Sequence, residues 1–151
     1  MGEVLFYHLT RSPLETALAS LLPRALQRGW RVAIRGSDAA RLDWLDQRLW
    51  LGPEEGFLPH GLAGGPHDAR QPILLTTGTE APNAPQVLAV IDGAPVEPAE
   101  AAPLERLWVF FPGADPAAVE AARTLYRRFR DAGHPPQYWS EESGRWQKQA
   151  G

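Results

Sequence analysis

An arginine-rich segment, residues 123–130 (RTLYRRFR), is the first feature of this sequence that could do chemistry. It holds four arginines and no acidic residue. On a helix, Arg123, Arg127 and Arg130 share one face, with Tyr126 between them on the surface. Guanidinium groups bind carboxylates through paired hydrogen bonds, and an aromatic ring beside them offers an apolar surface. The segment therefore fits recognition of an acidic peptide, and it equally fits a solvated face whose charges are balanced by nearby acids.

A second candidate binding segment is residues 50–65, WLGPEEGFLPHGLAGG. Its glycines and prolines interrupt every helical or strand period, so we expect neither an ordinary helix nor a strand. Trp50 and Phe57 are large apolar side chains on this segment. They either pack over one end of the core or form part of a binding site for a partner. The glycines would let a ligand approach the backbone closely. Together the two segments indicate capture of an anionic peptide with a hydrophobic tip.

Catalytic and metal-binding motifs were sought among the remaining polar residues. His60, His67 and Asp68 could serve as ligands on one loop, but their spacing matches no HxxH-type motif and the chain has no cysteine. No serine lies in a GxSxG motif, and GxGxxG and GxxxxGK patterns are absent. A nucleotide- or phosphate-binding α/β enzyme that uses these three residues is the competing interpretation. We expect no metal and no cofactor.

Composition and charge narrow the class of protein. The chain has 151 residues, of which 44% are hydrophobic and 22% charged, as in ordinary globular proteins, so we expect one domain over 1–151. The formal net charge of −3 argues against sequence-independent nucleic-acid binding, so any electropositive function must be local. The first apolar run is too short for a signal peptide, and no window reaches the length of a membrane span. We expect a cytoplasmic protein.

Short apolar runs rich in β-forming residues predict the strands of a sheet. The runs are residues 4–9, 30–35, 72–76, 86–92 and 106–111. Nearly continuous apolar runs are typical of parallel strands covered on both faces, so the order of strands and helices predicts an α/β fold. We expect three layers, with a mostly parallel sheet flanked by helices, Rossmann-like but without a nucleotide-binding glycine motif. The tail, 135–149, predicts a hairpin around Ser143, and the proline-rich 93–105 predicts a mobile or weakly helical connection.

Polar residues before the helical runs predict where the helices begin. Ser12 is expected to cap the first helix, with Pro13 at its first position and Glu15 completing a capping box. Residues 37–38 are expected to cap the second helix. The last helix is predicted over 117–132, opened by an Asp-Pro pair and closed by a glycine.

Four segments of the sequence closely resemble the chi subunit of bacterial DNA polymerase III. They are the first strand with its Phe6-Tyr7 pair, RLDWLDQRLW, WLGPEEGFLPHGLAGG and ARTLYRRFRDAG. The most specific is FLPHGLAG, and the resemblance extends over nearly the whole chain except the proline-rich, acidic middle, 78–104. It implies a non-catalytic accessory subunit of the clamp-loader assembly in DNA replication. In this family chi binds the acidic C-terminal tail of single-stranded DNA-binding protein (SSB), and in some bacteria the psi subunit, so that contact with DNA is indirect.

Carried onto this chain, the resemblance implies a tail-binding pocket with an aromatic part and a cationic part. Trp50 and Phe57 would supply the first, while Arg123, Tyr126 and Arg127 would supply the second. Arg127 stands where the family commonly has a lysine. The positive charge is kept, but the compact ammonium group of lysine is replaced by the planar guanidinium of arginine, which can donate two parallel hydrogen bonds. An SSB-binding module that acts outside the polymerase, for instance in repair, remains an alternative interpretation of the same residues.

Overall fold

A single sheet organises the described part of the chain, which the computed structural model gives as residues 2–50, 60–141 and 146–150. Eight strands within these ranges belong to it. They are β1 (Glu3–Leu9), β2 (Val32–Arg35), β3 (His60–Leu62), β4 (Ile73–Thr76), β5 (Val87–Val90), β6 (Arg106–Pro112), β7 (Gln137–Ser140) and β8 (Gln147–Ala150). Their order across the sheet is β3-β4-β2-β5-β6-β1-β7-β8.

Neighbouring strands run parallel except at one edge, where β7 and β8 are antiparallel. Side chains alternate between two buried clusters. Leu5 and Tyr7 belong to one, and Val4 and Phe6 belong to the other, so both faces of β1 are covered. This double burial is the reason that the strands read as continuous apolar runs.

Helices cover the two faces unequally. α1 (Leu14–Gln27) and α2 (Ala39–Trp50) contribute Leu18 and Leu45 to the cluster on one face. α3 (Pro116–Asp131) contributes Phe129 to the cluster on the other face. The predicted three-layer, mostly parallel α/β architecture is therefore confirmed. None of the helices in these described ranges is long and apolar enough to cross a membrane.

Most predicted helix boundaries follow from local chemistry. Asp38 accepts a hydrogen bond from the amide of Ala40 at 3.0 Å and so caps α2. Gly29 has a φ of 77°, which ends α1 and lets the Trp30 amide bond back to the Ala25 carbonyl at 3.1 Å. The pairing of β7 with β8 confirms the terminal hairpin, whose turn at 142–145 lies outside the described residues.

The predicted cap of α1 is wrong. Pro13 occupies the N-cap position, and no side chain caps this helix. The Ser12 hydroxyl instead donates to Oε2 of Glu141 at 2.8 Å, while Oε1 of Glu141 accepts from the amides of Arg11 (2.9 Å) and Ser12 (2.6 Å). Because an acid from the far end of the chain has taken these donors, the capping box expected with Glu15 does not form.

Glu141→Gln is expected to lower the free energy of unfolding by about 1–2 kcal/mol, since charged acceptors form stronger hydrogen bonds than neutral ones. Burial acts to raise the pKa of Glu141, but bonds from the Ser12, Arg11 and Thr10 amides and the Ser12 hydroxyl hold that pKa below its usual 4.5. Urea unfolding at neutral pH measures the change. Ser12→Ala removes a single hydroxyl bond and should cost less; an equal or larger cost would contradict the assigned role of the carboxylate.

Two further segments differ from simple loops. Residues 60–62 form β3 against β4, so the expectation that 50–65 contains no strand is wrong for these residues. The His60 side chain, at the start of β3, is buried. The segment 93–105 contains a short 3-10 turn (Pro98–Ala101), and Ala94 and Val96 are buried against the α3 face of the sheet.

Candidate functional site

α3 carries the cationic part of the candidate site, and its position is fixed at both ends. Asp115 caps the helix by accepting from the amides of Ala117 (3.0 Å) and Ala118 (3.4 Å). Phe129 is fully buried against the sheet, and Gly133 closes the helix with a φ of 87°. The opposite side of α3 is left to solvent, as an amphipathic helix requires.

The four arginines of α3 fall into two kinds. Arg128 pairs with Glu97 at 2.5 Å, and Arg130 pairs with its neighbour Asp131 at 3.2 Å. Arg123 and Arg127 are both exposed, and among the described residues no carboxylate pairs with either. Within the described part of the chain, Arg127 hydrogen-bonds only to the Thr124 hydroxyl, at 3.4 Å. The two arginines that the resemblance selects are therefore the two arginines of α3 that pair with no carboxylate of the described residues.

Tyr126 is less superficial than the sequence predicts. It is half-buried, its hydroxyl donates to the Pro136 carbonyl at 3.0 Å, and its ring lies 5.4 Å from that of Phe6. Much of this side chain therefore belongs to the core, and only its exposed part can contact a ligand beside the arginines.

Tyr138 is a neighbour that the sequence reasoning missed. Its ring centroid lies 6.3 Å from that of Tyr126, and its hydroxyl makes a 2.6 Å hydrogen bond with Nδ1 of His8. The two half-buried tyrosines pack against the same buried cluster, and Tyr126 directly precedes Arg127 on α3. The alternation of aromatic and polar residues in the tail predicted a strand here, but which strand it would join depended on the parallel pairing with β1.

Of the aromatic part of the predicted site, the structure describes only the backbone of Trp50. Trp50 ends α2, which packs on the face of the sheet opposite α3, and its side chain is not among those described. Phe57 belongs to 51–59, outside the described residues. A single pocket that joins both parts stays a prediction.

The three residues of the competing enzyme interpretation have different surroundings. Nε2 of His60 lies 3.0 Å from the Asp46 carbonyl oxygen and 3.3 Å from its carboxylate. Asp68 accepts from the amides of Gly64 (2.8 Å) and Gly65 (3.0 Å), and His67 is exposed. No group of three side chains that could hold a metal occurs within residues 2–50, 60–141 and 146–150.

The loop after β1 is where dinucleotide-binding α/β proteins hold a phosphate on backbone amides. Here the amides of Arg11 and Ser12 donate to the carboxylate of Glu141. The buried carboxylate of Glu141, which belongs to this same chain, therefore takes the place that a bound phosphate has in those proteins. This contact agrees with the absence of a glycine motif in the same turn.

The fold and the site together define a class: a Rossmann-like α/β protein without a phosphate loop, carrying an unbalanced cationic helix on one face. The model of the family described as "DNA polymerase III chi subunit, HolC" matches residues 1–137. The chain therefore belongs to the chi-subunit family, whose name denotes an accessory subunit of the DNA polymerase III complex. The matched region includes all five predicted site residues and ends just before Tyr138.

Two relatives agree with this assignment. The chain is 32% identical over 118 residues to the DNA polymerase III subunit chi of Pseudomonas aeruginosa, covering 78% of this chain and 79% of that protein. It is 28% identical over 91 residues to the probable DNA polymerase III subunit chi of Rickettsia prowazekii, covering 60% of this chain. The chain spans 55% of the length of the Rickettsia protein.

Proposed function

We propose that this protein is a non-catalytic, single-domain adaptor that connects the DNA polymerase III clamp-loader assembly to SSB on the template strand. The ligand is the acidic C-terminal tail of SSB, and the cationic side of α3 receives it. The observation that carries the proposal is the pair of exposed arginines, Arg123 and Arg127, whose charges have no carboxylate partner among the described residues.

The chemistry of the tail matches this surface. A peptide of aspartates that ends in Phe needs cations for its carboxylates and an apolar surface for its ring. Arg123 is assigned to the terminal carboxylate, and Arg127 to the acidic side chains that precede it. Tyr126 and Tyr138 supply an apolar surface beside them. Trp50 and Phe57 are included in the proposed site on the strength of the resemblance.

Binding is expected to be of micromolar affinity, because a disordered tail loses conformational entropy when it is ordered. It is also expected to weaken with salt, since the contacts are between exposed charges. Anisotropy titration of a fluorescent peptide with the SSB tail sequence measures both properties. The same peptide without its terminal Phe is the ligand control, and it should bind far more weakly.

Arg123→Ala is expected to weaken tail binding about tenfold or more, because a charged hydrogen-bond donor to the terminal carboxylate is removed. Since Arg123 is exposed, the fold should be unaffected. Arg128→Ala is the matched control: it removes the same charge from the same helix, but from an arginine already paired with Glu97. Equal tail affinities for wild type and Arg123→Ala would overturn the site assignment, as would equal losses in the two variants.

A further inference from the structure

A groove with a volume of about 690 Å³ lies along α3, away from Arg123 and Arg127. At 3.6 residues per turn, the α3 residues that line the groove are centred about two fifths of a turn from those arginines. The floor comes from the carboxyl ends of β5 and β6, and the second wall is the segment 93–97. The apolar side chains that line it include Val90, Val109, Phe111, Ala118, Ala121 and Leu125.

The groove is held open by contacts within the protein. Arg35 is buried, and it donates to the Pro95 carbonyl at 3.1 Å and to Oε1 of Glu100 at 2.8 Å. These bonds fix the second wall to the end of β2. Glu97 from this wall also pairs with Arg128 of α3 at 2.5 Å, although both side chains are exposed, so this pair adds little to the rigidity of the groove. A preformed apolar groove binds without the cost of ordering its own walls.

The lining combines small apolar side chains with acidic groups. Ala118 and Ala121 leave room where larger residues of α3 would fill the space, so that the volume accepts large side chains from a ligand. Three carboxylates line the groove, those of Asp92, Glu97 and Asp115, against the single guanidinium of Arg128. Two of the three are already paired, Glu97 with Arg128 and Asp92 with Arg41 at 3.1 Å, whereas Asp115 receives hydrogen bonds only from backbone amides among the described residues. The charged groups of the lining are therefore net negative, opposite in sign to the Arg123 side of the same helix.

We propose that this groove binds an amphipathic helix of a partner protein, which inserts apolar side chains between the walls and places lysines or arginines against the carboxylates. A helix in an apolar groove is a common mode of peptide recognition, with anchors on one face of the helix and flanking charges that select the partner. The ligand is basic, so it differs from the acidic tail proposed for Arg123 and Arg127. Because the two sites lie on different sides of α3, both ligands can bind at once.

Two synthetic helical peptides test the proposal on the full chain. They share the same leucine anchors and length, but one carries lysines beside the anchors and the other carries glutamates. By anisotropy, the lysine peptide should bind saturably and about tenfold more tightly than the glutamate peptide. In the wild-type protein, the methyl resonances of Val90 and Val109 should shift as the lysine peptide is added. Absence of saturable binding, or equal or tighter binding of the glutamate peptide, would overturn the proposal.

Variants locate the binding within the groove. Ala121→Trp fills the groove from an exposed helical position and should abolish binding of the lysine peptide while leaving SSB-tail binding unchanged. Ala132→Trp is the matched control, the same substitution at an exposed position just after α3 and outside the groove. Arg128→Gln should strengthen binding about threefold by removing the one cation. Unchanged affinity of the lysine peptide for Ala121→Trp, or its weaker binding to Arg128→Gln, would contradict the proposed ligand. The methyl shifts of Val90 and Val109 are measured on the wild-type protein, so that part of the test does not depend on whether a variant folds.

Discussion

Phe129→Ala is expected to lower the free energy of unfolding by about 3–5 kcal/mol, a large fraction of the stability of a domain of this size. Phe129 is fully buried, and its ring meets that of Phe6 edge-to-face at 6.2 Å. Truncation would leave a cavity between α3 and the sheet. Since α3 carries both Arg123 and the groove, its loosening should weaken the two proposed binding activities together.

Chemical denaturation followed by tryptophan fluorescence gives the free energy of unfolding of this variant. Phe129→Leu is the appropriate control, because it keeps most of the apolar volume and should cost only about 1–2 kcal/mol. If Phe129→Ala unfolds at the same denaturant concentration as wild type, α3 is not anchored as the structure places it.

The layered fold could be predicted from sequence because its signals are local. The strands that became β1, β2, β4, β5 and β6 are short apolar runs, and their burial on both faces follows from parallel pairing. Gly29 and Gly133 marked helix ends because only glycine readily takes a positive φ. β3 escaped prediction because three residues within a segment rich in glycine and proline carry no strand pattern of their own.

Contacts between distant residues explain what the sequence could not predict. Ser12 looks like a helix cap, but Glu141 competes for its donors from the other end of the chain. Tyr126 looks like a surface residue of the arginine stripe, but it packs against Phe6. Arg35 is the charged last residue of the predicted strand 30–35, and the sequence did not indicate that it is buried. In each case the partner is known only after the sheet brings separate segments together.

The pair of Arg35 and Glu100 carries the second large expected effect. Glu100→Gln should lower the free energy of unfolding by about 2–3 kcal/mol, because a buried guanidinium would lose its counter-charge. Removing both charges, as in Arg35→Met with Glu100→Leu, should restore most of this loss. Nε of Arg35 is buried without a hydrogen-bond partner among the described residues, which favours the apolar pair further. Chemical denaturation of wild type and of the two variants measures these free energies of unfolding. A double variant less stable than Glu100→Gln would contradict the claim that Glu100 stabilises the fold by neutralising Arg35.

Acid should reveal the same interaction. Hydrogen bonding from Arg35 holds the pKa of Glu100 below its usual 4.5, against burial, which acts to raise it; the Glu97 amide also lowers it. Because the pKa of Glu100 is lower in the folded than in the unfolded state, its ionised carboxylate stabilises the fold fully above about pH 4.5. This stabilisation is lost as the pH falls through the lowered pKa of the folded state. The wild-type free energy of unfolding should therefore decline below that pH, and that of Glu100→Gln should decline less steeply; part of the decline should persist because the pKa of Glu141 is also lowered.

Glu100 fixes one wall of the groove, so the same acidification should weaken binding of the lysine peptide in wild type more than in Glu100→Gln. Identical pH profiles of stability in the two proteins would show that Glu100 does not hold that wall through its charge.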